Sequence, residues 1–239
     1  MTVSNDATDR IADLQDQVAA LKADNARLRR LLDEAGMPDS LRHAFRDTVA
    51  LLRAVMRHTA AGARDVESYD AHLGERLNVF VRVRSLTDAL GEADLHTLVA
   101  DALAAYLIQE GEQAAITGPP VCLKPKPAQV FALALHELAT NAVEHGPLGA
   151  GAGAVAVTWQ IQHAAGAPAL ALSWTETGAG KRAAPGRRGF GTVVLEDMLA
   201  YDLGASTELR YGPEGIACRI RFPLDAATGR AAGEGAAVT

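Results

Sequence analysis

Cysteine and aromatic residues are scarce in this sequence. Only two cysteines occur among the 239 residues, Cys122 and Cys218, and aromatic side chains make up 5%. Both cysteines lie in apolar, strand-like runs, so the sequence predicts neither a disulfide framework nor a thiolate metal site. This cysteine usage is typical of a reducing compartment.

The sequence also lacks an excess of basic residues and long apolar runs. The formal net charge is −6 and the isoelectric point is about 5.6, which argues against a nucleic-acid partner, since such a partner requires a basic face. The N-terminus has no apolar signal core, and no run approaches the roughly 20 apolar residues that span a bilayer. We therefore expect a soluble, cytoplasmic protein with no membrane span.

Residues 9–35 carry apolar residues spaced alternately three and four apart. This heptad pattern predicts a two-stranded parallel coiled coil, in which Asn25 would pair with its own copy and fix the register. A single amphipathic helix packed on the rest of the protein is the alternative. The seam consists of Ile11, Leu14, Val18, Leu21, Asn25, Leu28 and Leu32.

Residues 40–92 contain two further apolar stripes at helical spacing. The first runs from Leu41 to Met56 and the second from Leu73 to Val81, which predicts helices over about 41–64 and 69–90. Two such helices form a hairpin that buries little apolar surface alone. Two hairpins from two chains would complete a four-helix bundle, so we expect a homodimer.

Residues 93–225 alternate between helical and strand-like patterns, which predicts a layered domain of sheet and helices. We expect helices at about 94–110, around 136–145 and at about 191–203, and strands at 114–123, 155–161, 170–174, 207–211 and 216–222. Residues 226–239 are almost entirely Ala, Gly, Thr and charged residues, and we expect a disordered tail there.

Polar residues of one helical run suit a magnesium site. Glu137 and Asn141 lie four residues apart, so a helix places both on one face, and carboxylate and amide oxygens are ligands that Mg²⁺ accepts. A capped helix end with a core histidine at His136 is the alternative. A zinc-hydrolase site is excluded, because its second ligand would be needed where Thr140 stands.

Two later runs suit a nucleotide. Trp174 and Glu176 precede the flexible run from Gly178 to Gly180. The run from Arg187 to Thr192 then places basic residues ahead of glycines that open a helix, where exposed N–H groups can bind phosphate oxygens. Each run has a simpler interpretation, Trp174 as a core residue and the arginines as a solvated loop, but their co-occurrence favours nucleotide binding.

The three runs together resemble the HWE family of sensor histidine kinases, whose name records a histidine, a tryptophan and a glutamate. Here these would be His136, Trp174 and Glu176. The resemblance covers roughly residues 41–225. It implies an α+β protein with a dimerisation and histidine-phosphotransfer hairpin at 40–92, followed at 93–225 by a catalytic ATP-binding domain of the Bergerat type, an α/β sandwich.

The resemblance also implies roles for single residues toward ATP and Mg²⁺. Asn141 would bind Mg²⁺, with Glu137 acting through a neighbouring water or as a base, and Glu176 would accept a hydrogen bond from the adenine amine. Arg187 and Arg188 would offset charge on the transferred phosphoryl group. Gly178 and Gly180 would hold the adenine together with Glu176. The phosphates would lie against Gly189, Gly191 and Thr192, and His136 and Phe190 complete the nucleotide set.

The resemblance further implies a phosphoacceptor histidine on the first hairpin helix, and His43 matches its position. His43 lies two residues from both Leu41 and Phe45, so it points away from the apolar stripe and should face solvent. A neutral imidazole there can attack a γ-phosphoryl group. Asp47, one turn later, would raise its proton affinity or act as a base. His58 is the second candidate.

The sequence departs from the family pattern at three positions. Ala44 and Asp47 stand where arginine and asparagine are usual, and Glu144 stands where a phosphate-holding lysine is common. The first hypothesis is an autokinase that phosphorylates His43 and transfers the phosphoryl group to a response-regulator aspartate, with any upstream sensor partner acting through the coiled coil. The alternative is a phosphotransfer or scaffold module with a degenerate ATP site. A Bergerat-type serine kinase or ATPase ranks last.

Overall fold

The chain divides into two compact units, residues 1–50 and residues 51–239. All seven residues of the predicted coiled-coil seam lie outside the described residues, so that prediction is untested. The computed structural model describes residues 39–87, 91–150, 153–164, 167–178, 189–212 and 215–231, together with residues 19–20, 22–24, 26–27 and 30, which are helical.

Two helices occupy the region of the predicted hairpin. Helix α1 spans Asp39–Gly62 and helix α2 spans Val66–Ser85. Asp65 begins α2 with a capping box, because its side chain accepts a hydrogen bond from the Ser68 amide at 2.8 Å. Both helices are confirmed, although α2 starts earlier and ends earlier than the apolar stripe predicts.

A five-stranded sheet forms the centre of the second unit. Its order is β2-β4-β5-β7-β6, and every pairing is antiparallel except that of β2 with β4. The predicted strands in this region are confirmed, and their alternating apolar residues lie on the face that the helices cover. The strands are β2 (Ala114–Thr117), β4 (Ala154–Ala164), β5 (Ala167–Thr177), β6 (Ser206–Gly212) and β7 (Gly215–Pro223).

The predicted single strand over 114–123 is wrong. The chain breaks at Gly118-Pro119-Pro120 because prolines cannot donate to a ladder, and Val121–Leu123 forms β3 in a second sheet. Trp159 fixes the break: its Nε1 donates to the Pro119 carbonyl at 2.7 Å, and its indole packs against Gly118 so closely that a Cβ would overlap it.

Helix α3 (Leu95–Ala104) follows the short strand β1 (Ala93–Asp94), and it is shorter than predicted. The Asp94 side chain caps its start by accepting from the Thr97 amide at 2.9 Å. The chain leaves the helix after Ala104, and Leu107 takes a positive φ of 61°. The predicted continuation to residue 110 is therefore wrong.

The expected disorder from residue 226 is wrong for residues 226–231. Gly229–Ala231 forms β8, which pairs antiparallel with β3 and completes a three-stranded sheet of order β1-β3-β8. The Asp225 carboxylate holds the preceding turn by accepting from the Ala227 and Thr228 amides at 2.8 and 2.9 Å. Backbone pairing needs no apolar side chains, so composition could not reveal it. Residues 232–239 lie outside the described part.

Helix α4 (Pro125–Thr140) packs across the covered face of the large sheet, where Phe131 meets Phe222 at 5.5 Å between ring centroids. Pro125 occupies its first turn, where no amide donor is needed. The predicted helix around 136–145 is confirmed as far as Thr140, and a π-helical turn, Asn141–His145, follows.

A second helical run covers the same face of the sheet. It consists of α5 (Phe190–Thr192), a π-helical stretch (Val193–Met198) and α6 (Leu199–Leu203), and it ends at Gly204 with a positive φ of 62°. Among the described residues, no helix is long and apolar enough to cross a membrane.

Candidate functional site

The helical run that carries Glu137 and Asn141 meets the glycine-containing run from Arg187 to Thr192 at Gly191. A Cβ at Gly191 would lie 3.3 Å from Oε2 of Glu137 and 3.5 Å from Nδ2 of Asn141. Glu137 and Asn141 therefore lie on one face of their helix, as their spacing predicts, and the opening of the second helical run approaches both. A side chain at position 191 would press on the Glu137 carboxylate, which would have to shift by a few tenths of an ångström, whereas its distance to Asn141 would be an ordinary contact.

Asn141 and Gly191 both lie at or near π-helical turns. Asn141 is the first residue of the turn Asn141–His145, and the stretch Val193–Met198 begins two residues after Gly191. Such turns are rare and occur frequently at functional sites. Here they fall at the two motifs that the sequence singles out.

The Glu137 carboxylate is held by Arg76 from helix α2. Nε of Arg76 donates to Oε1 of Glu137 at 2.8 Å and Nη2 donates to Oε2 at 3.2 Å, while Nη1 donates to Oγ1 of Thr59 at 3.1 Å. The side chains are 12% and 7% exposed. Burial raises the pKa of Glu137 above the ordinary value of a carboxyl, and the Arg76 guanidinium opposes that rise.

Phe190, the first residue of α5, packs against the guanidinium of Arg76. Its ring is buried, lies 3.9 Å from Cζ of Arg76 and is 6.5 Å from the His58 ring between centroids. Gly189 stands at the N-cap and supplies no side-chain capping bond. First-turn amides of a helix have no partner within the helix, so the N–H groups of this turn can bind an anion.

Trp174 and Glu176, which precede the run from Gly178 to Gly180, lie at the end of β5. Glu176 is buried, accepts from Nε1 of Trp174 at 3.3 Å and from the Ile216 amide at 3.4 Å. Trp174 is fully buried, which confirms its interpretation as a core residue. Gly178 takes a φ of 111°, a conformation that glycine adopts readily. Gly180, Arg187 and Arg188 lie outside the described residues.

His136 is a neutral core histidine. Its ring stacks on Tyr106 at 5.9 Å between centroids, and its Nδ1 makes no hydrogen bond within the described structure. Burial lowers the pKa of His136 to about 4, assisted by the positive charges of Arg82 and Arg76. His136 therefore adds no positive charge for a phosphate, and its contacts support a packing role.

His43 and Asp47 lie on the part of α1 that belongs to the first unit, and both are exposed. The expectation that His43 faces solvent is thus confirmed, while its role as a phosphoacceptor stays a prediction. Glu144 is also exposed, on the π-helical turn, with Oε2 at 3.9 Å from Nε2 of His145. A carboxylate at that position can be hydrated or turned away from a phosphate.

The donor set fits Mg²⁺ only together with a phosphate ligand. Among the described residues, no three His, Cys, Asp or Glu side chains cluster as a metal cage would require. Mg²⁺ usually takes one or two protein ligands and completes its shell with water and substrate phosphates. Asn141 and Glu137, placed opposite the glycine-opened helix, suit that second kind of site.

Sequence motifs did not reveal Arg76 and Thr59. Arg76 lies three residues from both Leu73 and Val79, so it falls on the buried side of α2. A charged residue on a buried helix face requires a partner. That spacing was the available signal, although it could not name Glu137, which is 61 residues away.

Comparison with known proteins agrees with the motifs. The family model of HWE histidine kinases matches residues 40–120. A blue-light-activated histidine kinase of Brucella ovis is 26% identical over 184 residues, which cover 76% of this chain and 38% of the relative. The corresponding protein of Brucella anthropi is 26% identical over 196 residues, covering 81% and 40%. The chain thus spans about two fifths of the length of these curated relatives.

Solved structures with detectable similarity are more distant in sequence. The histidine kinase domain from the Erythrobacter litoralis EL346 blue-light-activated histidine kinase has a TM-score of 0.46 at 17% identity, covering 75% of this chain and 94% of that one. The ATP-binding domain of PrrB from Mycobacterium tuberculosis has a TM-score of 0.41 at 20% identity, covering 56% and 97%. The family match and the curated relatives agree with the resemblance stated from the sequence: this chain is similar to HWE histidine kinases, over residues 40–120 by the family model and over about three quarters of its length by the curated relatives.

Proposed function

We propose that the chain is an ATP-dependent protein histidine kinase that phosphorylates its own His43. The observation that carries the proposal is the convergence of Glu137 and Asn141 on Gly191. This arrangement joins a carboxylate and an amide to a helix start whose amides can bind phosphate. The match to HWE histidine kinases over residues 40–120 includes the region of His43 and supports the same activity.

The proposed nucleotide site divides its contacts by chemistry. Glu176 would accept from the adenine amine, with Gly178 and Gly180 beside the base. Phosphates would lie at Gly189–Thr192, with Arg187 and Arg188 offsetting their charge. Asn141 and Glu137 would hold Mg²⁺ directly or through water, and the ion, when bound, would neutralise charge on the phosphates.

In the proposed reaction a ring nitrogen of neutral His43 attacks the γ-phosphorus of ATP. An N–P bond forms, the P–O bond to ADP breaks, and ADP leaves as the anion. The imidazole proton passes to a carboxylate, for which Glu137 and Asp47 are the candidates. The phosphoryl group would then move to an aspartate of a response-regulator receiver domain, and a homodimer formed through the helical hairpin would bring two copies together.

Labelling with radioactive ATP and Mg²⁺ tests this function. We expect an acid-labile, base-stable label on the wild-type chain that is lost in His43→Gln and in Asn141→Ala. The label should persist in His163→Gln, a matched control that removes an exposed histidine from β4. Labelling that persists in His43→Gln but disappears in His58→Gln would assign the acceptor to His58 instead.

A phosphotransfer or scaffold module with a degenerate ATP site is the second candidate. It is favoured by one observation, namely that Arg76 occupies both carboxylate oxygens of Glu137. It predicts no label and no heat of ATP binding in calorimetry, with receiver binding intact. Turnover of ATP by the wild-type chain that Asn141→Ala abolishes would eliminate it.

A further inference from the structure

Arg76 connects the helical pair to both halves of the candidate site. Its guanidinium donates to both oxygens of Glu137 on α4, lies over the ring of Phe190 at the start of α5, and is anchored by Thr59 on α1. Thr59 is itself fixed, because its hydroxyl donates to the Val55 carbonyl at 2.7 Å. One side chain therefore links four elements of the second unit.

This pairing reduces the property that the proposed function requires of Glu137, namely the capacity of its carboxylate to accept a proton or a water. A base or a magnesium-bound water uses a carboxylate lone pair. The forked guanidinium takes one of the two acceptor positions on each oxygen, and its positive charge makes the carboxylate a weaker base. The pair is nearly buried, so water and salt weaken it little. Phe190 is covered by the same guanidinium, next to the amides that would bind phosphate.

We propose that Arg76 is an autoinhibitory latch: while it is paired with Glu137, the carboxylate is withheld from the reaction, and phosphorylation requires the pair to open. This inference rests on the proposed role of Glu137 as a base or water ligand. A signal that shifts α2 away from α4 would release the carboxylate and uncover Phe190 in one step. The hairpin would then act as the regulator of the site as well as the carrier of its substrate histidine.

A second ion pair on the same helix allows the latch to be separated from general docking. Nε of Arg82 donates to Oδ2 of Asp101 on α3 at 2.9 Å, with side chains 32% and 28% exposed. This pair also ties α2 to the rest of the second unit, but it does not involve Glu137 or Phe190. Arg82→Met is therefore a matched control for Arg76→Met.

The experiment compares initial rates of acid-labile labelling of the full chain at fixed Mg²⁺ and ATP. We expect Arg76→Met to label about ten times faster than the wild type, which corresponds to about 1.4 kcal/mol. Arg82→Met should stay within about twofold of the wild-type rate. Because loss of a side chain that is merely structural lowers activity, a rise in rate is a result that such a role would not give.

Thr59→Val is a second variant that keeps the Arg76–Glu137 pair and removes only its anchor. We expect a rise of about threefold, as loss of one hydrogen bond would give. If circular dichroism shows that Arg76→Met is unfolded, the labelling rate of Thr59→Val decides whether the Arg76–Glu137 pair is inhibitory. An unchanged or lower rate in a folded Arg76→Met that binds ATP overturns the latch, and so does an equal rise in Arg82→Met. Absence of label and of ATP binding in the wild type refutes the kinase function itself, a pattern distinct from failure of the latch alone.

Discussion

Burial of His136 makes the stability of the fold depend on pH. The unfolded chain has an ordinary histidine with a pKa of about 6.5, whereas burial lowers the pKa in the folded chain to about 4. Between these pKa values the unfolded state binds more protons than the folded state. The contribution of His136 to the free energy of unfolding is therefore fully present above pH 6.5 and is lost as the pH falls toward 4. At about 1.36 kcal/mol per pKa unit, we expect a loss of about 2 kcal/mol between pH 8 and pH 5.

His136→Phe isolates this contribution. Phenylalanine keeps an aromatic contact with Tyr106 and cannot be protonated, and any overpacking shifts stability equally at each pH. The free energy of unfolding is measured by urea denaturation at pH 5, 6, 7 and 8 for both proteins. The raised pKa of Glu137 acts in the opposite direction, but it is common to both proteins and cancels in the difference.

As the pH falls from 8 to 5, the free energy of unfolding of the wild type should therefore decrease by about 2 kcal/mol relative to that of His136→Phe. His163→Gln, which removes an exposed histidine, controls for the loss of a histidine without burial. Parallel pH profiles for the wild type and His136→Phe would refute the reasoning, because they would show that His136 is not held neutral by the fold.

Two further predictions concern stability. Arg230→Met should lower the free energy of unfolding by about 1–3 kcal/mol, because Arg230 and Lys124 both pair with the Glu92 carboxylate, which is 3% exposed. An unchanged urea midpoint would contradict this. Gly118→Ala should lower it by about 1–3 kcal/mol, because the added methyl group overlaps the Trp159 indole; thermal melting no lower than that of the wild type would show that the loop yields freely.

Local patterns in the sequence predicted most elements of the second unit. Alternation of apolar residues located β4 and β5, and helical spacing located the helix at 39–62, because each pattern reflects burial of one face against a core. The helix predicted around 136–145 begins earlier, at Pro125, and its α-helical part ends at Thr140. The spacing of Glu137 and Asn141 also placed both on one face of a helix. These predictions succeeded because period and burial act over a few residues.

Features that depend on distant partners were missed. Pro119 and Pro120, which interrupt the strand over 114–123, are visible in the sequence. The conformation of the break depends on a hydrogen bond from Trp159, about 40 residues later, which the local sequence does not indicate. Strand β8 forms through backbone pairing with β3, which composition does not encode. Likewise, nothing near Arg76 in the sequence identifies Glu137 as its partner. A tertiary contact between separated segments leaves no periodic signal.

The parallel pairing of β2 with β4 has a consequence for which parts of the site can be displaced. Parallel neighbours need a crossover, and here the crossover contains α4, so the helix that carries Glu137 begins one residue after β3 and is joined to β4 through residues 141–153. The Glu137 carboxylate is therefore carried within the connection between two neighbouring strands, whereas the guanidinium that pairs with it comes from α2, which lies outside that connection. The two charges can separate by rotation of the Arg76 side chain or by displacement of α2, and either movement can be measured as a distance from α4 and β4.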